Sequence, residues 1–506
     1  MPSLFLGIDV GTSGTKALLL ERGGRVRATA SASHPSLVPK PGWSEQRPED
    51  WWMSVGTATR LVLRTGRAAR SDIAGIGLSG QMHGSVFLDR RQRVLCNALL
   101  WNDQRTGAEC EEIERRAGGR AELIRLVRNV ALTGYQAPKI LWLRRYRPRL
   151  FRSTRTILLP KDYVNFRLTG MLSSEVSDAS GTLLFDVANR RWSLPLLERL
   201  ALDPALFPPV VESPGVIGEL TSDAARATGL RADIPVVAGA GDQAAVAIGT
   251  GVVRCGLVSA TIGTSGVVFA HSDTPVRNDA GLLQSFCHAV PSAWCVFGCI
   301  LAAGGSLQWA REVLYADSLA AARTDAARDA LYTAMLGEAA RRPVDDALGF
   351  HPYLTGERCP YPHPHARAAF IGLTRSHSRG ALVRAVLEGI TLNMAHQIDL
   401  MRALGVPVRE IRLAGGGARN PWWRQLQADI YGCRCVSMRS EEGSALGAAL
   451  LAAVGTGAFP NVPAASRTAA RVAHTYRSVA ARTRRYRRLA AHQRQTYETL
   501  EPLYRD

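Results

Sequence analysis

The sequence is short of lysine. Of its 62 basic residues only Lys16, Lys40, Lys139 and Lys161 are lysines, and the other 58 are arginines. Acid is scarce too: 43 Asp and Glu leave a formal net charge of +19 and a pI near 10.1. A strongly basic chain first suggests nucleic acid or a membrane surface. The skew argues against both, because arginine stands for lysine along the whole chain rather than in one patch. The densest run, Arg482-Thr483-Arg484-Arg485-Tyr486-Arg487-Arg488, reads as a solvated helix face. Outside it, basic and aromatic residues do not interleave as a single-strand-binding surface requires, so no nucleic-acid partner is expected.

Long apolar runs are also missing. None approaches the ~20 residues of a membrane helix, so no membrane partner is expected. Met1-Pro2-Ser3-Leu4-Phe5-Leu6 meets Gly7 and Asp9 too soon to read as a secretory signal. Zinc patterns are absent: Cys433 and Cys435, or Cys295 and Cys299, complete no four-ligand set among nine scattered cysteines. Free thiols in a reducing cytoplasm fit that usage. What is present is a chain for folding, 46% hydrophobic and 21% charged. At roughly 100–200 residues per domain, its length implies two large domains or three smaller ones.

Leu4 to Ile8 reads as a buried strand ending in Asp9-Val10-Gly11-Thr12-Ser13-Gly14-Thr15-Lys16. Ala17 to Leu20 reads as a second strand and Arg25 to Ala32 as a third, after the turn Arg22-Gly23-Gly24. The glycine loop therefore joins two strands, unlike Walker and dinucleotide loops, which feed a helix. The motif recurs. Leu257 to Ile262 and Val267 to Ala270 flank Gly263-Thr264-Ser265-Gly266, so Gly-Thr-Ser-Gly appears at 11–14 and at 263–266. Matching strands around both copies suggest two related α/β halves meeting near 240–254. Helices are expected over Pro48 to Arg64, Leu382 to Leu404, Ser444 to Val454, and from an Asn420-Pro421 cap through about Tyr431.

Two glycine-threonine hairpins can grip one polyphosphate, with bare backbone N–H groups and hydroxyls as donors. Asp9, at the base of the first loop, suits Mg²⁺ held through water, and Lys16 suits phosphate charge. Gly415-Gly416-Gly417, between a strand and a capped helix, would let a flat ligand lie on backbone near a helix N-terminus. Asp242 ends the strand Pro235 to Gly241. It is a carboxylate placed to take a hydroxyl proton during phosphoryl transfer.

These segments, with Gly80-Gln81-Met82-His83-Gly84, Trp101-Asn102-Asp103, Ala137-Pro138-Lys139, Pro160-Lys161-Asp162-Tyr163, Ser177 to Thr182, Ser285-Phe286-Cys287-His288 and Tyr353 to Arg358, occur in the order found in one family. Over roughly 4–455 the chain resembles the FGGY carbohydrate kinases, of the actin/hexokinase/Hsp70-like ATPase fold with ribonuclease H-like halves around an interdomain cleft. The resemblance implies an N-terminal domain over 1–246, which binds sugar and holds the first phosphate loop. It implies a C-terminal, ATP-binding domain over 247–506 with an Arg-rich helical extension from about 474. It implies ATP and Mg²⁺, with Asp9 organising the metal and Asp242 as general base. Gly11, Thr12, Ser13, Lys16, Gly263 and Thr264 would meet phosphates, and Gly415, Gly416 and Gly417 adenosine. Gln81, Met82, His83, Trp101, Asp242 and Gln243 would meet the sugar. His83 also reads as a buried structural histidine and Trp101 as a core tryptophan. The expected reaction is phosphorylation of a ketose, D-xylulose first, in a cytoplasmic enzyme, with a homodimer as the family expectation. Another ketose, a polyol such as glycerol, or a non-catalytic sugar- or ATP-sensing protein are the alternatives. Two departures bear on this. Gln243 stands where many D-xylulose-specific members have Asn, and Ala381 stands where an acidic or amide residue is usual.

Overall fold

The computed structural model describes residues 3–440 and 442–504. Met1 and Pro2 of the start, and Arg505 and Asp506 of the expected extension, lie outside the described residues. The chain forms two compact units that interleave in sequence. The first takes 1–254, 271–295 and 442–471, and the second takes 255–270, 296–441 and 472–506.

The sheet of the first unit uses β1 (Leu4–Val10), β2 (Gly14–Glu21), β3 (Val26–Ser33), β4 (Ile73–Gly80), β5 (Val216–Glu219) and β6 (Pro235–Gly241), in the order β5-β6-β4-β1-β2-β3. β1, β4 and β6 run parallel, while β2, β3 and β5 are antiparallel to their neighbours. Alternation along β1 explains the two covered faces. Leu4, Leu6, Ile8 and Val10 pack with Trp51, Val55 and Val62 of α1 (Pro48–Thr65), whereas Phe5 joins Leu18, Leu20 and the helix at 444–455. Each such side chain, fully buried, contributes about 1.5–3 kcal/mol.

In the second unit β7 (Gly256–Ile262), β8 (Gly266–Ser272), β9 (Trp294–Ile300), β10 (Val408–Gly415), β11 (Arg434–Met438) and β12 (Val472–Tyr476) follow the order β9-β8-β7-β10-β11-β12. β7 is antiparallel to β8 and parallel to β10, β10 is parallel to β11, and β12 is an antiparallel edge. Each unit is thus an α/β layer built outward from a glycine hairpin and continued by parallel strands, as the repeated motif suggests.

Four further helices position the site: α2 (Pro160–Thr169), α3 (Asp242–Thr250), α4 (Pro421–Tyr431) and α5 (Ser444–Gly455). α5 is Ala- and Gly-rich because it lies almost against backbone. A Cβ added at Gly7 would fall 1.9 Å from Ala445 O, and one at Gly77 2.1 Å from Ala448 O.

The Arg-rich run lies on a helix at Ala480–Leu500 that is only partly a solvated face. Thr483 and Tyr486 are buried, Arg482 pairs with Asp429 at 3.2 Å, and Arg485 pairs with Asp346 at 2.6 Å. The Arg background thus supplies tertiary ion pairs within the second unit. Among the described residues no helix is long and apolar enough to cross a membrane.

Candidate active site

The first hairpin sets Asp9 and Lys16 opposite each other on β1 and β2. Asp9 Oδ2 accepts a 2.6 Å bond from Ser444 Oγ at the start of α5, while its Oδ1 is buried without a hydrogen-bond partner. Burial raises the carboxyl above the ordinary aspartate range, with the Ser444 bond and Lys16 pulling it back. A buried carboxylate oxygen lacking a donor fits a cation, directly or through water. Lys16 Nζ reaches Glu442 at 2.5 Å, so an acid already faces this ammonium.

The loop between these strands closes with Gly11 N donating to Gly14 O at 3.0 Å. Thr12 is tied on both sides. Its Oγ1 donates to Gln81 Oε1 at 3.1 Å and accepts from Trp101 Nε1 at 2.9 Å. Gln81 Nε2 donates to Gln46 Oε1 (2.8 Å), which also accepts from Trp51 Nε1 (2.9 Å), and Gln46 Nε2 returns to Thr12 O at 2.6 Å. The loop residue and two expected sugar contacts are therefore one network. Ser13 is exposed at the loop tip.

Gln81, Met82 and His83 follow β4. Met82 is buried against Gly241, where an added Cβ would meet its sulfur at 2.9 Å. His83 has φ +69°, donates from Nδ1–H to Gly181 O at 2.7 Å, and sits edge-on to Tyr135 with centroids 5.0 Å apart. Asp242 opens α3 directly after β6 and is half-buried. Removal from water first, and Asp9 second, push its carboxyl up to about 7, while Gln243 Nε2 donates to Asp242 Oδ1 at 3.3 Å. A carboxylate poised near neutrality suits a general base. Segments 81–83, 177–181 and 241–243 thus meet in the first unit.

The second hairpin is held differently. Ala303 N and Gly305 N donate to Thr264 O (2.9 and 3.0 Å), and Gly304 N donates to Gly263 O at 2.8 Å. A Cβ at Gly304 would fall 2.4 Å from that oxygen. Sequence reasoning gave no role to Glu357, which supports this segment. Its Oε1 accepts from Leu301 N (3.0 Å) and Arg358 N (2.7 Å), and its Oε2 from Asn393 Nδ2 (3.1 Å). Burial pushes its carboxyl up to about 7. Nothing local in Thr355-Gly356-Glu357-Arg358 signals an acceptor for an amide 56 residues earlier.

Beside the hairpin, Gly415 takes φ +74° and Gly416–Ala418 form one 3₁₀ turn before Asn420 caps α4, accepting from Trp422 N and Trp423 N. Thr264, Gly304, Tyr332, Gly416, Gly417 and Asn420 line a pocket of about 550 Å³. Glycine is required there: a Cβ at Gly417 would press on Ile262 at 2.6 Å. Bare backbone, an aromatic side chain and a helix N-terminus line this pocket, a set that suits a flat, anionic ligand.

Residues 4–249 match the model of the N-terminal domain of the FGGY family of carbohydrate kinases, and residues 258–456 match that of its C-terminal domain. The xylulose kinase of Bacillus subtilis is 37% identical over 484 residues, covering 96% of this chain and 94% of its own. That of Escherichia coli is 38% identical over 452 residues, covering 89% and 90%. The solved xylulose kinase of Rhodospirillum rubrum superposes with a TM-score of 0.89 at 29% identity, with 99% of each chain covered.

Proposed function

Because the chain belongs to the FGGY family of carbohydrate kinases, of the actin/hexokinase-like ATPase fold, we propose that it transfers the γ-phosphoryl group of ATP to the terminal 5-hydroxyl of D-xylulose. The observation carrying this reading is the Asp242 carboxyl, pushed up to about 7 beside the 81–83 segment, in a chain whose relatives are named xylulose kinases. The sugar oxygen attacks phosphorus, the bond to the β-phosphate oxygen breaks, and the hydroxyl proton passes to Asp242. Gln81, Met82, His83, Trp101 and Gln243 orient the sugar. Gly11, Thr12, Ser13, Gly263 and Thr264 meet phosphates, and Gly415 to Gly417 take the adenosine. Asp9 would hold Mg²⁺, which when bound neutralises phosphate charge. Lys16 offers its charge to phosphate in competition with Glu442. The reading includes a cytoplasmic homodimer and gives nucleic acid and membranes no role.

Gln243 favours one second reading, a kinase for another ketose or polyol. ADP release with xylulose, ribulose, other ketoses and glycerol separates the two. The proposed function expects the highest kcat/KM with xylulose. A tenfold preference for another acceptor would replace the substrate, and no ADP release with any would leave a sensing protein.

A further inference from the structure

Three of the four lysines lie in the first unit's functional region, and two of them are completely buried. Lys139 and Lys161 have no exposed surface. Lys40 is exposed, 5.0 Å from the Trp43 ring, and Lys16 meets Glu442. In a chain that uses arginine nearly everywhere, these two sites need what a guanidinium does not offer. An ammonium is a compact point donor, whereas the planar guanidinium must satisfy five N–H groups in a fixed fork.

Lys161 acts on the strand that delivers Asp242. The pairing of β6 with β4 shifts register between Val237 and Ala240, which marks a bulge, and Gly239 there takes φ +79° with its Cα against Leu78 backbone. Ala238 O accepts from Lys161 Nζ at 3.2 Å and from Asn165 Nδ2 at 2.9 Å, side chains one turn apart on α2. Gly241 N, one residue before Asp242, donates to Ser177 Oγ at 3.1 Å. Burial pulls the Lys161 ammonium down, but Asp162 at 2.6 Å, Glu175 and Asp178 at 3.9 Å more than offset it and keep it charged. Lys139 acts on the sugar segment, since its Nζ donates to His83 O at 2.8 Å and to Gly134 O at 2.5 Å. It pins a histidine whose positive φ is costly for a residue with a Cβ.

We infer that Lys161, with Asn165, is a positioning residue for the base Asp242, and that Lys139 is a positioning residue for the sugar segment at His83. The inference rests on the proposed kinase reading. It assigns the two lysines different kinetic signatures, because one aims the proton acceptor and the other shapes the sugar contact.

The test is steady-state kinetics of Lys161→Arg, Asn165→Leu and Lys139→Arg with the acceptor the wild type uses best. Lys161→Arg lowers kcat about 30-fold or more, with both KM values within about threefold. Asn165→Leu, which leaves the buried charges paired, lowers kcat about tenfold in the same pattern and decides the matter if Lys161→Arg does not fold. Lys139→Arg raises the sugar KM about tenfold, with kcat and the ATP KM within about threefold. Wild-type kinetics in the arginine variants, or the same loss of kcat and Tm with both KM values raised in all three, would overturn the inference. The wild-type acceptor panel judges the proposed substrate separately, because the split between the variants does not depend on which sugar is used.

Discussion

The two Gly-Thr-Ser-Gly hairpins share sequence and antiparallel pairing, but not register (Val10 pairs with Thr15, Ile262 with Gly266) or the means by which they are held. At 11–14 the loop is fixed by side chains: Trp101, Gln81 and Gln46 converge on Thr12. At 263–266 it is fixed by backbone, through the amides of Ala303, Gly304 and Gly305. The flanking positions differ as well. Where the first hairpin has Asp9 and Lys16, the second has Thr261 and Val268. One copy carries ionic chemistry and the other is a neutral cradle, so a shared turn specifies shape while its neighbours specify task.

The largest break of that contrast is loss of the proposed base in the charged unit. Asp242→Asn is expected to lower kcat about 10³-fold with the sugar KM within about threefold in steady-state assays. Near-wild-type turnover would remove Asp242 from its role. Next come the equivalent hairpin positions: Asp9→Asn should cost about 10²-fold in kcat/KM for ATP and raise the Mg²⁺ needed, whereas Thr261→Val stays within about threefold. Equal losses at both would erase the distinction between ionic and neutral copies.

The backbone cradle is broken by a methyl group. Gly304→Ala drives a Cβ towards Gly263 O and should raise the ATP KM about tenfold without changing the sugar KM. An unchanged ATP KM would show that the second loop tolerates displacement. The hydroxyls give a finer comparison. Thr12→Val leaves Trp101 Nε1 and Gln81 Oε1 unpaired, at about 1–2 kcal/mol, and should lower kcat/KM for the sugar about tenfold. Thr264→Val should cost less than about threefold on the same measure, and the reverse ranking would contradict side-chain control of the first loop.

The smallest effect is on stability. Folding raises the Asp242 carboxyl from 3.8 to about 7, so the folded state favours the protonated form, and stability is lost as pH rises across that interval. Asp242→Asn should therefore raise Tm by about 2–4 °C at pH 8 and leave it unchanged at pH 3.5, by calorimetry. The same carboxyl should give wild-type kcat/KM an acid limb near pH 7, with activity falling below it.

Much of this was legible in the sequence because the signals were local. Apolar runs broken by glycines gave both hairpins, and Asn420-Pro421 announced a helix that the Asn420 side chain caps. Asp9 and Asp242 stand at strand ends, where a carboxylate is conspicuous. What stayed hidden depends on distant partners. Ser444 reaches Asp9 across 435 positions, Glu357 holds an amide 56 residues away, and Gln46 enters a network whose other members begin at Thr12 and end at Trp101. Periodicity reports which face of an element is apolar, not which polar atom another element will bring to it.

The contact of α5 with Gly7 and Gly77 bears on how the chain is made. The helix closing one face of the first sheet begins at Ser444, and that unit ends only at Arg471. During synthesis the strands at 4–80 emerge long before the helix that covers them, so that face of the sheet waits, bare, until most of the second unit has been translated. The two units are interleaved along the chain, and the one that starts first is among the last to be finished.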